Sequence, residues 1–145
     1  MPTWRKSLIT CSTAEEFKKT DYYKHFEAFI SDGRVIGSLE KYGYTMLFYP
    51  HYELQRFADV FSSPSPLIKT ASFNKYDVQR LLIDSAMLIT DYSSVFFDVA
   101  YMKKPIIHYI FDNEEYRKTH YSQGYFDFED SFGKAVHNHE EAVSE

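Results

Sequence analysis

Five consecutive residues, Thr90, Asp91, Tyr92, Ser93 and Ser94, set one carboxylate among hydroxyl side chains, and Asp98 follows shortly after. Upstream lies the apolar run Met87–Ile89, and downstream "VFFDVAYMK" has the spacing of an amphipathic helix. The five residues therefore stand where a strand hands over to a helix. Two chemistries suit such a position. The first N–H groups of a helix lack intrahelical partners and carry roughly half a positive charge. Phosphate binds well there, and serine hydroxyls add donors. Equally, Asp91, Ser93 or Ser94 can cap the helix with no ligand involved. A phosphoacceptor role for Asp91, as in a receiver-type domain, needs an acidic pair after the first strand and a lysine after the last. Neither can be placed, and residue types alone leave binding and capping both open.

The elements that position this turn are legible from periodicity. Strands are expected near residues 45–49, 67–70, 87–90 and 105–110, with "KAVH" as a last short one. Tyr22, Tyr23, Phe26, Phe29 and Ile30 recur at helical spacing. Asp32-Gly33 breaks that pattern, and a second helix through Val35, Ile36 and Leu39 stops near Gly43. Further helices are expected in "ELQRFADVF", "NKYDVQRLLIDSA" and "SSVFFDVAYMK". The polar segment from Asp112 carries one helical turn at its start, and a final helix begins beside Asn138 or His139. Apolar strands alternating with helices imply a parallel sheet covered on both faces, an α/β, Rossmann-like fold. The G-x-G-x-x-G fingerprint and the phosphate-binding P-loop are both absent. In open parallel sheets ligands bind beyond the carboxyl ends of the strands, where Asp91–Ser94 and His51 fall.

A chain of 145 residues makes one ordinary domain. Its net charge of −5 argues against a general nucleic-acid binder. The one cysteine, Cys11, excludes an internal disulfide and a cysteine-based metal site, and reads as an inert thiol. His108, His120, His137 and His139 lack ligand spacing, so no metal and no cofactor are expected. No apolar run approaches the ~20 residues that span a bilayer, and the N-terminus lacks a signal peptide's apolar core. The expected location is cytoplasmic. Trp4 reads as a packing anchor, Lys103 and Lys104 as solvated, and Arg117 and Lys118 as a polar helix surface.

The string "LIDSAMLITDYSSVFFDVAYMKKPIIHYIFDNEEY", followed by "GYFDFED", resembles the CDP-glycerol:poly(glycerophosphate) glycerophosphotransferase family of teichoic acid polymerases and primases. "MPTWRK" and "YGYTMLFYPH" resemble it in the same order, so the likeness covers nearly the whole chain. It implies a two-domain, glycosyltransferase-B-type enzyme whose C-terminal half binds the donor CDP-glycerol. Residues 1–145 would be that single donor domain, cut at both sides, with the acceptor domain absent. Carried over, Ser93 and Ser94 bind the pyrophosphate with help from Thr90, and Asp98 accepts from ribose hydroxyls. Asp91 orients or caps the turn. His51 stabilises charge on the leaving group; the family often has His-Pro here, and this chain has His51-Tyr52. Arg5 either reaches a phosphate with its guanidinium fork or lies solvated at the surface. Tyr121, Tyr125 and Phe126 pack by the cytosine or cover the sheet. The implied partners are a lipid-linked glycerol-phosphate acceptor and the inner face of the membrane, not nucleic acid. CDP-ribitol, another nucleotide-activated unit, or a non-catalytic recognition role remain alternatives.

Overall fold

Capping chemistry sets the helix boundaries. The computed structural model describes residues 1–120 and 127–145; Tyr121, Tyr125 and Phe126 lie outside the described residues. Helix α1 (Ala14–Lys18) opens with a capping box, Thr13 Oγ1 accepting from Glu16 N–H while the Glu16 carboxylate accepts from Thr13 N–H. The T-x-x-E signature was present in the sequence, yet no helix was expected there. Helix α2 (Asp21–Ser31) follows the Thr20 cap, and the Asp32 carboxylate caps α3 (Gly33–Tyr42). Gly43 ends α3 in the left-handed conformation, φ 71°.

Strand β1 (Met46–Phe48) leads through Pro50 into a 3-10 helix, Tyr52–Val60, where an α-helix was expected. Leu54, Phe57 and Val60 recur every third residue and all pack on the core, which matches the three-residue turn. Strand β2 (Ile68–Thr70), α4 (Val78–Asp84), β3 (Leu88–Thr90), α5 (Phe96–Tyr101) and β4 (Ile106–Tyr109) then alternate. Helix α6 (Asn113–His120) is longer than the single turn expected. Strand β5 (Lys134–Val136) and α7 (His139–Ser144), capped by Asn138, complete the described chain.

The strands form two parallel groups, β1-β2 and β3-β4-β5. Leu88 pairs with Ile106, and Ile107 with Lys134. Residues Met1 to Thr3 run beside the other edge of β3. The Met1 amine donates to Ile89 O at 2.6 Å, and Thr90 Oγ1 donates to Met1 O at 2.7 Å. Thr3 N–H donates to both Asp91 carboxylate oxygens at 2.8 and 2.9 Å. The segment is thus tied to β3 through one main-chain carbonyl and through the side chains of Thr90 and Asp91. This is the parallel, helix-flanked α/β fold expected.

The main core explains the many aromatics. Phe17 stacks on Phe57 at 4.4 Å, and Phe26, Phe48 and Phe61 close round them. Tyr109 is fully buried; its hydroxyl meets His25 Nδ1 at 2.9 Å, which removes the cost of an unpaired polar atom. A second cluster, Leu82, Leu88, Phe96, Val99 and Ile106, holds α4 and α5 against β3 and β4. Lys104 is not merely solvated: its Nζ donates to Leu82 O and Ile83 O at 2.7 and 2.6 Å, closing the C-terminus of α4.

Gly133 enters β5 at φ 142°, where an added Cβ would stand 2.7 Å from Ile106 O. Gly133→Ala is expected to destabilise the fold by more than about 1 kcal/mol. Urea denaturation monitored by circular dichroism checks this; an unchanged midpoint would refute it.

Candidate functional site

Asp91 follows β3 directly and is fully buried. Its carboxylate accepts from Thr3 N–H, from Arg5 Nη1 at 2.9 Å and from Tyr92 N–H at 2.7 Å. Asp91 is therefore consumed in shaping the turn and caps no helix. Arg5 is 5% exposed, which corrects the expectation of a solvated side chain. Its Nε and Nη2 form a fork on Asp112 at 2.6 and 3.0 Å, and Nη1 also donates to Thr3 O at 2.9 Å. Tyr92 Oη donates to the same Asp112 at 3.0 Å. The Arg5 guanidinium carbon lies 4.9 and 4.8 Å from the ring centres of Tyr92 and Tyr116, which stack on each other at 3.7 Å. Burial opposes the Arg5 charge, but Asp91 and Asp112 outweigh it and raise its pKa.

With Asp91 occupied, the serines are left free. Helix α5 starts at Phe96, later than expected, and its N-cap residue Val95 has no side-chain hydrogen bond. Ser93 and Ser94 enter through their carbonyls, which accept from Phe96 N–H and Phe97 N–H at 3.3 and 3.1 Å. Among the described residues neither serine hydroxyl has a partner, and Ser94 is exposed. Asp98 is exposed on the first turn of α5, likewise unpaired among the described residues. Thr90 is buried and its hydroxyl is spent on Met1 O.

His51 lies half-buried just beyond the carboxyl end of β1. Its Nδ1 accepts from Glu53 N–H at 3.3 Å, which leaves the proton of the neutral ring on Nε2. Burial lowers its pKa, against the opposing fields of Glu53 and Asp91. The Trp4 ring stands 6.4 Å from His51 and 5.5 Å from His120. Trp4 thus packs beside His51 while its neighbour Arg5 grips Asp91, bringing the ends of β1 and β3 to one edge of the fold.

A cavity of about 720 Å³ opens at the same edge, between the first turn of α2 and the loop from β4 into α6. Arg5, Tyr22, Asp112 and Asn113 line it, whereas His51, Ser93, Ser94 and Asp98 do not. Sequence reasoning singled out Arg5 but missed Tyr22, Asp112 and Asn113. Asp112 had a signal, since it follows the apolar strand "PIIHYIF"; Tyr22 was indistinguishable from a core tyrosine. Among the described residues no three His, Cys, Asp or Glu side chains cluster as metal ligands. No helix among them is long and apolar enough to cross a membrane.

Parallel strands flanked by helices, with a hydroxyl-bearing turn at a strand's carboxyl end, place the chain in the Rossmann-like α/β class. A family model described as CDP-Glycerol:Poly(glycerophosphate) glycerophosphotransferase matches residues 1–145, and the chain belongs to that family. It is 33% identical over 153 residues to the minor teichoic acid biosynthesis protein GgaB of Bacillus subtilis (strain 168), covering 99% of this chain and 16% of that relative. It is 45% identical over 74 residues to the teichoic acid poly(glycerol phosphate) polymerase of the same strain, covering 49% of this chain and 10% of the relative. It is 43% identical over 53 residues to a teichoic acid poly(ribitol-phosphate) polymerase of Bacillus spizizenii (strain ATCC 23059 / NRRL B-14472 / W23), covering 36% of this chain and 9% of the relative. The chain thus spans only a small part of each of these proteins.

Two outcomes follow from the burial described above. Asp91→Asn leaves Arg5 its Asp112 partner but turns an amide donor towards the Thr3, Arg5 and Tyr92 N–H groups, and is expected to cost about 1–3 kcal/mol in chemical denaturation; an unchanged stability would contradict the geometry. His25, His51, His108 and His120 all have pKa values lowered first by burial, from 6.5. Below that value the unfolded chain binds more protons than the folded one. The Met1 amine, which burial lowers from 8.0 to about 6, acts in the same direction, so stability should decline as pH falls from about 8 through 6.5 towards the lowered values. Urea midpoints measured across that window test it, and a midpoint that rises on acidification would refute it.

Proposed function

We propose that this chain is the nucleotide-donor domain of a glycerophosphotransferase that extends a teichoic-acid-type polymer from CDP-glycerol and releases CMP. The observation that carries the reading is the β3–α5 turn: Asp91 is fully committed, while the Ser93 and Ser94 hydroxyls that follow it are unpaired among the described residues. Family membership and the printed names of the relatives support the reaction class. In this reading Ser93 and Ser94 donate to the donor's phosphates, and Asp98 accepts from the ribose hydroxyls. Arg5 and Thr90 act through the turn, Arg5 by holding Asp91 and Thr90 by holding Met1.

The acceptor's terminal hydroxyl attacks the β-phosphorus and loses its proton to solvent, a new P–O bond forms, and the bond to the α-phosphate oxygen breaks to free CMP. His51, neutral with its proton on Nε2, is suited to hydrogen-bond the charge that develops on the leaving phosphate. Catalysis of this kind rests on positioning and charge stabilisation. The whole enzyme would be a two-domain glycosyltransferase-B-type protein, peripheral at the inner membrane face, where a lipid-linked acceptor is presented. A CDP-ribitol donor is the second reading, favoured by the relative named as a poly(ribitol-phosphate) polymerase.

Calorimetric titration with CDP-glycerol, CMP and UMP tests the proposal. Cytidine ligands should bind in preference to UMP, and Ser93→Ala/Ser94→Ala should abolish saturable binding. Equal affinity for UMP, or unchanged affinity in the double variant, would sink the reading.

A further inference from the structure

Strand β4 pairs on both edges, with β3 and with β5, and its four residues are all buried. Strands β1 and β3 each pair on one edge among the described residues, and Met46, Leu47 and Ile89 are half-buried. Parallel strands under helices are normally buried throughout, as β4 is. The ladder bonds say which groups face the open edges. Met46 N–H donates to Leu67 O and Phe48 O accepts from Ala71 N–H, so both residues turn to β2. Leu47, between them, turns its N–H and C=O the other way. Leu88 N–H donates to Pro105 O, so Leu88 turns to β4 and Ile89 turns away. Ile89 O takes the Met1 amine at 2.6 Å, but Ile89 N–H and both Leu47 groups have no hydrogen-bond partner among the described residues. Main-chain polar groups inside a fold are nearly always paired.

The two groups of strands share one helix layer. Phe26 of α2 meets Phe48 of β1 at 5.9 Å and Tyr109 of β4 at 5.8 Å. The N-terminal segment passes between their carboxyl ends: Met1 bonds Ile89, Thr3 bonds Asp91, and Trp4 packs on His51 just after β1. From Met1 to Thr3 it advances as β3 does from Ile89 to Asp91, a parallel course. Continued backwards on that course, the backbone brings a carbonyl to the Ile89 N–H and turns its other edge to Leu47. The Met1 amine now stands at that place, and burial, opposed by Asp91, lowers its pKa from 8.0 to about 6. A peptide N–H makes the same bond to Ile89 O without burying a charge.

We propose that the open edges of β1 and β3 form a slot for one further parallel strand, an apolar segment that runs into Met1 and joins the two groups of strands into one sheet. Strand addition of this kind binds through main-chain hydrogen bonds. The occupant belongs to the same polypeptide, because Met1 to Thr3 already fill the exit of the slot in the required direction. The chain covers 16% of the GgaB relative, so proteins of this kind have chain to supply it. The slot does not rest on the donor-domain reading. It bears on it, since the strand stands between His51 and the turn after Asp91 and sets their spacing.

Amide hydrogen exchange by NMR tests the slot on three proteins. One is the chain as it stands. The second carries, before Met1, about five Val and Ile residues, an ordinary strand length. The third carries a Gly and Ser run of the same length, which also replaces the charged amine with a peptide N–H. In the parent, the Leu47 and Ile89 amides should exchange faster than those of Phe48 and Thr90, which face paired strands. The Val and Ile extension should slow both amides by roughly tenfold or more and raise the melting temperature, and the Gly and Ser extension should do neither. No added protection from the apolar extension, or equal protection from the polar one, overturns the slot. So does a monomeric parent in which both amides are already as slow as Phe48 and Thr90. Light scattering covers the remaining case: a dimeric parent with both amides protected shows that a second copy fills the edges, and also overturns it.

Discussion

The buried guanidinium of Arg5 is the point on which the architecture hangs. Removing one arginine and two aspartates from water is expensive, and their attraction offsets that only when geometry is good and every hydrogen bond is made. Here every guanidinium nitrogen is engaged, Asp112 receives a two-point fork, and tyrosine rings close over the charge. The arrangement fixes position rather than adding bulk stability. It draws the N-terminal segment, the end of β3 and the end of β4 to a common node, three stretches distant in sequence.

That node explains why the serine turn and the cavity are neighbours. A turn of free hydroxyls on a loose backbone would lose much of its binding energy to ordering. Asp91 removes that freedom by bonding its own chain at Tyr92 N–H and a remote one at Thr3 and Arg5. Because the same arginine reaches Asp112, the wall of the cavity and the turn are held by one side chain. His51 is drawn in by a softer contact, ring packing against Trp4.

The fold was largely readable because its signals are local. Continuous apolar runs gave the strands, and Asp32, Gly43 and Asn138 acted as helix punctuation where their chemistry says they should. The misses have local causes too. The five-residue α1 is too short for periodicity, although its capping box was visible in Thr13 and Glu16. The Tyr52–Val60 segment carries a three-residue repeat that is easily taken for a helical face. The site was less legible. Ser93, Ser94 and Asp98 stood out by type and spacing, but nothing in "PTWRK" distinguishes a buried arginine from a surface one. Its burial depends on two carboxylates that lie 86 and 107 residues away. Nor does a helical tyrosine such as Tyr22 announce that it will line a cavity, since only the assembled walls decide that.

The chain's single tryptophan has a consequence of a different sort. Trp4 stands between the imidazoles of His51 and His120, both held towards the neutral form by burial. A protonated imidazole accepts an electron from an excited indole far more readily than a neutral one. Excited beyond the absorption of the tyrosines, the protein's fluorescence comes from one lamp, placed at the edge where β1 and β3 end. Its brightness reads the charge of the two rings that flank it, with no dye attached.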